Sequence, residues 1–167
     1  YGTSFKKYAS QNKNILCLSG DLTSSCEVDA FRDEYPNQFV SMGMAEQNMM
    51  SFAGGLAMSG FIPFIHTFGV FAYRRPYDQL LASIAYPRRR VRIMGFLPGI
   101  TTPAGMTHQA IEDIAIMRSL PNIKILHPYD NVSSKYSVNL AYKAKSPVYI
   151  KLDKGFYSCL LYTSPSP

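Results

Sequence analysis

The chain has 167 residues, 47% of them hydrophobic, which is enough to bury the core of one domain and excludes a disordered segment. Its formal charge of +6, from 17 basic against 11 acidic residues, suits a phosphorylated ligand, a nucleic acid or an acidic partner surface equally, while no apolar run is long enough to cross a bilayer, so no membrane partner is expected. Cys17, Cys26 and Cys159 are odd in number and share no metal or redox spacing, which predicts a reducing compartment, by default the cytoplasm, rather than a disulfide framework.

The chain opens without Met directly into a helical pattern over residues 4–10, which predicts a truncated N-terminus. A strand over 14–18, a short helix over 28–35 and a strand over 38–41 follow. The next helix starts near Glu46 and stops before Gly60, a residue suited to a helix C-terminus. A strand over 61–67 leads into a helix over 70–85, where Tyr73, Tyr77, Leu80, Leu81 and Ile84 share helical spacing and Pro87 ends it. A strand over 91–95, a loop rich in Gly, Pro and Thr over 97–107, a helix over 109–119, a strand over 123–126, a helix over 131–142 and a strand over 148–152 complete the pattern. Buried-type strands alternating with helices predict a doubly wound α/β fold, mostly parallel, with helices on both faces. Residues 1–155 form the expected domain. The last residues, 156–167, share neither the period nor the register of what precedes them, resemble translated adaptor sequence, and are expected not to belong to the natural protein.

In doubly wound sheets ligands collect at the carboxyl ends of the strands, which selects Gly20-Asp21-Leu22-Thr23, residues 43–46, residues 66–71, residues 97–108 and His127-Pro128. Among these, Gly43-Met44-Ala45-Glu46-Gln47-Asn48-Met49 places a carboxylate at the opening of an apolar helix. The helix dipole favours its anion while apolar surroundings favour the protonated form, a conflict suited to a proton-sharing group. A helix-start Glu satisfying its own first turn is the other reading of the same residue. No dinucleotide fingerprint, Walker loop or nucleophile elbow occurs, and His66, His108 and His127 have no metal-ligand spacing. His127 reads as structural; His108, after a loop and before a helix, reads as a ligand contact. The 12 Tyr and 10 Phe carry no ribonucleoprotein signature and read as core. A non-catalytic basic module, binding RNA or an acidic protein through Arg74-Arg75 and Arg88-Arg89-Arg90, is the reading from another class, although nucleic acid is not the expected partner.

The Gly43–Met49 block, Thr67-Phe68-Gly69-Val70-Phe71, Arg75-Pro76-Tyr77-Asp78-Gln79, Ser83-Ile84-Ala85-Tyr86-Pro87, Thr107-His108-Gln109-Ala110-Ile111-Glu112-Asp113-Ile114-Ala115 and Leu120-Pro121-Asn122 occur in this order over about residues 3–153, and together resemble the transketolase family. The likeness is to the pyrimidine-binding domain that opens the C-terminal subunit of split bacterial transketolases. It implies a thiamin-diphosphate cofactor set between two domains, with Glu46 bonded to N1′ of the aminopyrimidine so that the ring's exocyclic nitrogen can take the C2 proton. It further implies Phe71, and with it Phe68, against the pyrimidine ring, His108 beside the donor substrate near the reacting carbon, and Asp21 near the cofactor at a dimer interface. Where relatives carry Asp-Gly-Xaa-Thr-His, this chain has Ala104-Gly105-Met106-Thr107-His108, so the Asp that reads a sugar hydroxyl is missing. Arg74 and His66 are the expected contacts for an anionic substrate group, and a sugar phosphate or a 2-oxo acid remain as donors. The family's Gly-Asp-Gly and downstream Asn are absent. The divalent metal, Mg or Ca, and the diphosphate are therefore expected on a partner domain or subunit, in a homo-oligomeric assembly, without which this chain is inactive. Deoxyxylulose-phosphate synthase and the beta subunit of 2-oxo acid dehydrogenases share related blocks, and the 83–87 and 107–115 blocks favour transketolase.

Overall fold

A computed structural model of the chain describes residues 1–100, 102 and 104–153. Short, apolar, β-branched runs pair into one all-parallel sheet: β1 (Ile15–Ser19), β2 (Phe39–Ser41), β3 (Ile62–Phe68), β4 (Arg92–Phe96), β5 (Lys124–Leu126) and β6 (Val148–Leu152), in the order β2-β1-β3-β4-β6-β5. Parallel strands need helical crossovers, and these cover both faces. Against one face lie α3 (Glu46–Met58), α4 (Gly69–Tyr73), α5 (Tyr77–Leu80) and α6 (Asp113–Ser119), packed on Leu18, Ile65, Ile93 and Tyr149. Against the other lie α1 (Gly2–Gln11), α2 (Asp29–Glu34) and α7 (Asn131–Lys143), packed on Cys17, Phe64, Met94 and Ile150. The split follows the two-residue period of the strands, whose neighbouring side chains point to opposite faces. The doubly wound α/β fold is as expected. The proposed boundary at residue 155 and the tail that follows it lie outside the described residues.

Two helices differ from the sequence pattern, and both differences shape the candidate site. The single helix expected over 70–85 is three pieces: α4, α5 and a π-helical turn, Leu81–Ala85. Pro76 cannot donate an amide hydrogen bond and disfavours helical backbone at Arg75, so α4 ends at Tyr73 and the chain restarts at Tyr77. The helix expected from 109 starts at Asp113. Ala110 instead exchanges two backbone hydrogen bonds with Gly99, each 2.9 Å, which ties the two limbs of the β4–α6 loop together and leaves His108 on the loop. α3 lies tight against the π-helical turn because Gly54 has no side chain: a Cβ there would stand 2.6 Å from the Ser83 carbonyl oxygen.

Candidate active site

Glu46 is the first residue of α3, directly beyond the carboxyl end of β2, and is 4% exposed. The N-cap of α3 is Ala45, which offers no side-chain cap. Glu46 Oε1 accepts a 2.9 Å hydrogen bond from Nη1 of Arg75. The carboxylate thus makes a tertiary ion pair in addition to its place in the first turn of α3. Met44, Ala45, Gln47, Asn48 and Arg75 surround it in an open concavity of about 450 Å³.

Arg75 follows the end of α4, four residues after Phe71, in the turn before Pro76. Its guanidinium carbon lies 4.0 Å from the centre of the Phe71 ring, within cation–π range. Phe71 in turn meets His108 edge-on with centroids 5.2 Å apart and Phe68 in an offset stack at 6.1 Å. His108 is held by a tight turn over residues 105–108, closed by the His108 amide donating to the Gly105 carbonyl, and by a 2.9 Å hydrogen bond between its Nδ1 and Thr107 Oγ1. Glu46, Arg75, Phe71, Phe68 and His108 thus form one connected group drawn from the start of α3, the β3–α5 segment and the β4–α6 loop, at the carboxyl end of the sheet. Arg75 is the member the sequence reading missed. Its four-residue spacing from Phe71 was visible, but its bond to Glu46 is not a local property.

The other expected residues lie apart. His66 is inside β3, not at its end, and by strand parity it points to the face opposite α3. It is fully buried, shares a 2.6 Å hydrogen bond between its Nε2 and the Tyr1 hydroxyl, and packs against Phe5 and Phe96. Burial holds its ring neutral by lowering its pKa to about 4, so it cannot meet a substrate anion. Arg74 is exposed but engaged by Glu112. That pairing, a charged hydrogen bond, pulls the Glu112 carboxyl down to about 2. The structure does not bring the expected His66 and Arg74 together: His66 is buried within the sheet and Arg74 is paired with Glu112. Asp21 is exposed at the carboxyl end of β1, in the left-handed region with φ 62°, and lines a separate shallow concavity with Thr23 and Arg32. His127 lines a cavity of about 270 Å³ with Tyr1, Phe96, Asp130, Asn131 and Asp153. Among the described residues, no three His, Cys, Asp or Glu side chains converge as a metal site.

The two arginine runs do not build one basic face either. Arg74 and Arg75 meet carboxylates beyond the carboxyl ends, whereas Arg88 to Arg90 precede β4, with Arg90 donating to the Tyr142 and Ala144 carbonyls.

An all-parallel doubly wound sheet with a buried carboxylate, stacked aromatic rings and a loop histidine at its carboxyl end defines a ligand-binding α/β domain of the kind that addresses a flat heterocycle. The chain belongs to the transketolase family: residues 1–158 match its pyrimidine binding domain. It is 36% identical over 155 residues to a protein of Methanocaldococcus jannaschii described as a putative transketolase C-terminal section, covering 92% of this chain and 49% of that one. It is 37% identical over 147 residues to the 6-deoxy-6-sulfo-D-fructose transketolase subunit of a Clostridium species, covering 87% and 46%. A solved split-gene transketolase, described as an inactive beta4 tetramer, superposes with a TM-score of 0.84 at 38% identity, covering 95% of this chain and 51% of that one. The chain thus spans about half the length of the relatives it matches.

Proposed function

We propose that this chain is the pyrimidine-binding half of a thiamin-diphosphate-dependent, transketolase-like transferase that moves a two-carbon unit, with Glu46 addressing the aminopyrimidine. The observation that carries the reading is Glu46 itself: a carboxylate 4% exposed, at the carboxyl end of the sheet, bonded to an arginine that lies over the Phe71 ring. A fit to the heterocycle is supported by what already satisfies the pair, since a planar nitrogenous cation is bonded to the carboxylate and lies over Phe71 at once. In this reading Glu46 holds or gives a proton at N1′, Phe71 and Phe68 position the ring and exclude water, and His108 faces the donor near the reacting carbon. Asp21 is assigned to the cofactor's surroundings at a subunit contact. When bound, the cofactor supplies a nucleophilic carbon and an electron sink.

The diphosphate and its divalent cation, Mg or Ca, are assigned to a partner domain or subunit. The relatives described as a section and a subunit support this division. So do Met44 at 78% exposure, Met106 at 81% and Ile111 at 71%, an apolar rim flanking Glu46 and His108. With Ala104 at the turn before His108, the donor is a sugar phosphate or 2-oxo acid that does not depend on an acidic contact there. Product analysis with pyruvate and an aldehyde phosphate, against a ketose phosphate and an aldose phosphate, separates a transketolase-like from a deoxyxylulose-phosphate synthase-like reaction. The direct test is Glu46→Gln in the full-length protein assembled with its diphosphate-binding half. Turnover is expected to fall by about 10²–10⁴-fold with an unchanged circular dichroism spectrum; retained turnover overturns the reading.

A further inference from the structure

Phe71 offers almost no surface to a ligand: it is 9% exposed. His108 meets its ring edge-on, Phe68 stacks beside it, and the Arg75 guanidinium lies over it at 4.0 Å. A heterocycle cannot stack on that ring until one neighbour leaves. Phe68 and His108 are partly buried, and His108 is pinned by its turn and by Thr107. The Arg75 side chain is 50% exposed, and among the described residues its hydrogen bond and its ring contact are to Glu46 and Phe71. Arg75 is the neighbour that can swing into solvent.

The guanidinium also imitates what it covers. It is a planar array of N–H donors around one carbon, matched in shape to the N–C–N edge of an aminopyrimidine, and it bonds a carboxylate and lies over an aromatic face at the same time. We propose that Arg75 is an internal stand-in for the aminopyrimidine, so that cofactor binding is an exchange in which the heterocycle displaces the guanidinium from both Phe71 and Glu46. This rests on the proposed reading of Glu46 and Phe71 and adds a determinant of affinity that the reading does not require. Glu46 and Phe71 are buried, but the Arg75 side of both contacts is half-exposed and open to solvent screening, so Arg75 lowers affinity without closing the site. The break at Pro76 keeps this exchange local, because Arg75 lies between two helices and can leave Phe71 without unwinding either.

The test is isothermal titration of thiamin diphosphate, at saturating Mg²⁺, into the full-length protein assembled with its diphosphate-binding half. Arg75→Ala, which removes the competitor, is expected to tighten binding by about tenfold, on the scale of two weak contacts released together. Arg75→Lys, which keeps the charge but loses the planar fork, is expected to fall between that variant and the wild type. Glu46→Gln and Phe71→Ala are expected to weaken binding. If the arginine variants bind equally or more weakly while Glu46→Gln and Phe71→Ala lose affinity, the exchange is wrong and the site reading stands. If Glu46→Gln and Phe71→Ala bind as the wild type does, the site reading fails and the exchange fails with it. Should Arg75→Ala not fold, Arg75→Lys decides alone, and binding no tighter than wild type overturns the proposal.

Discussion

Glu46 and Arg75 are 29 residues apart in the chain and bonded at 2.9 Å, and the difference between those two measures explains what a single residue reveals in sequence. The apolar setting of Glu46 was legible because Met49, Met50 and Ala53 are buried on the same helix. Its partner was not, because the pairing is made across the sheet end. His66 shows the converse, since it lies near a strand end but shares a face with Phe64, two residues before it. Its burial gives a pH signature. The ring titrates near 6.5 unfolded and near 4 folded, so its contribution is complete above about pH 6.5 and is lost as the pH falls toward 4. The loss is on the order of 3 kcal/mol. His66→Gln is expected to flatten that part of the curve in urea melts at stepped pH, and an unaltered slope would contradict the assignment. A second buried group, Asp113, accepts 2.9 Å hydrogen bonds from both Tyr149 and Lys151. Lys151→Met leaves that carboxylate short of its cation and is expected to cost about 3 kcal/mol by the same melts.

Helix α3 positions Glu46 only while it stays seated on the π-helical turn, and two adjacent glycines separate seating from propensity. Gly54→Ala drives a Cβ against the Ser83 carbonyl and is expected to destabilise by about 1–3 kcal/mol. Gly55 is exposed, with nothing within 4 Å of a Cβ, so Gly55→Ala is expected to stabilise by up to about 1 kcal/mol. Equal effects of the two in thermal melts would show that α3 is not docked as described. Periodicity found every strand and most helices, because buried runs and amphipathic turns are written locally. It joined α4, α5 and the π-helical turn, since Tyr73, Tyr77 and Leu80 keep helical spacing across the break that Pro76 makes. It also began α6 four residues early, because Ala110 is a good helix former whose amide and carbonyl are claimed by Gly99, a partner 11 residues away.

At the scale of the molecule, parallel strands with helical crossovers were foreseeable, but the order β2-β1-β3-β4-β6-β5 was not, because neighbours such as β4 and β6 pair across two intervening helices. Two cores on opposite faces of that sheet leave its carboxyl end as a rim on which the Glu46 group and exposed Met44, Met106 and Ile111 lie together. A rim of this kind fits a half-site completed by a diphosphate-binding partner. Met44→Gln with Met106→Gln is expected to weaken that assembly in sedimentation equilibrium while leaving each half folded; unchanged association would place the contact elsewhere. The central claim, that Glu46 prepares a cofactor shared between two polypeptide halves, is tested most directly by the rate of hydrogen–deuterium exchange at C2 of thiamin diphosphate bound to the assembled protein. With wild-type Glu46 the exchange is expected to be complete within the shortest quench time, and with Glu46→Gln to be slower by at least about 10²-fold. Equal exchange rates in the two proteins would contradict the account.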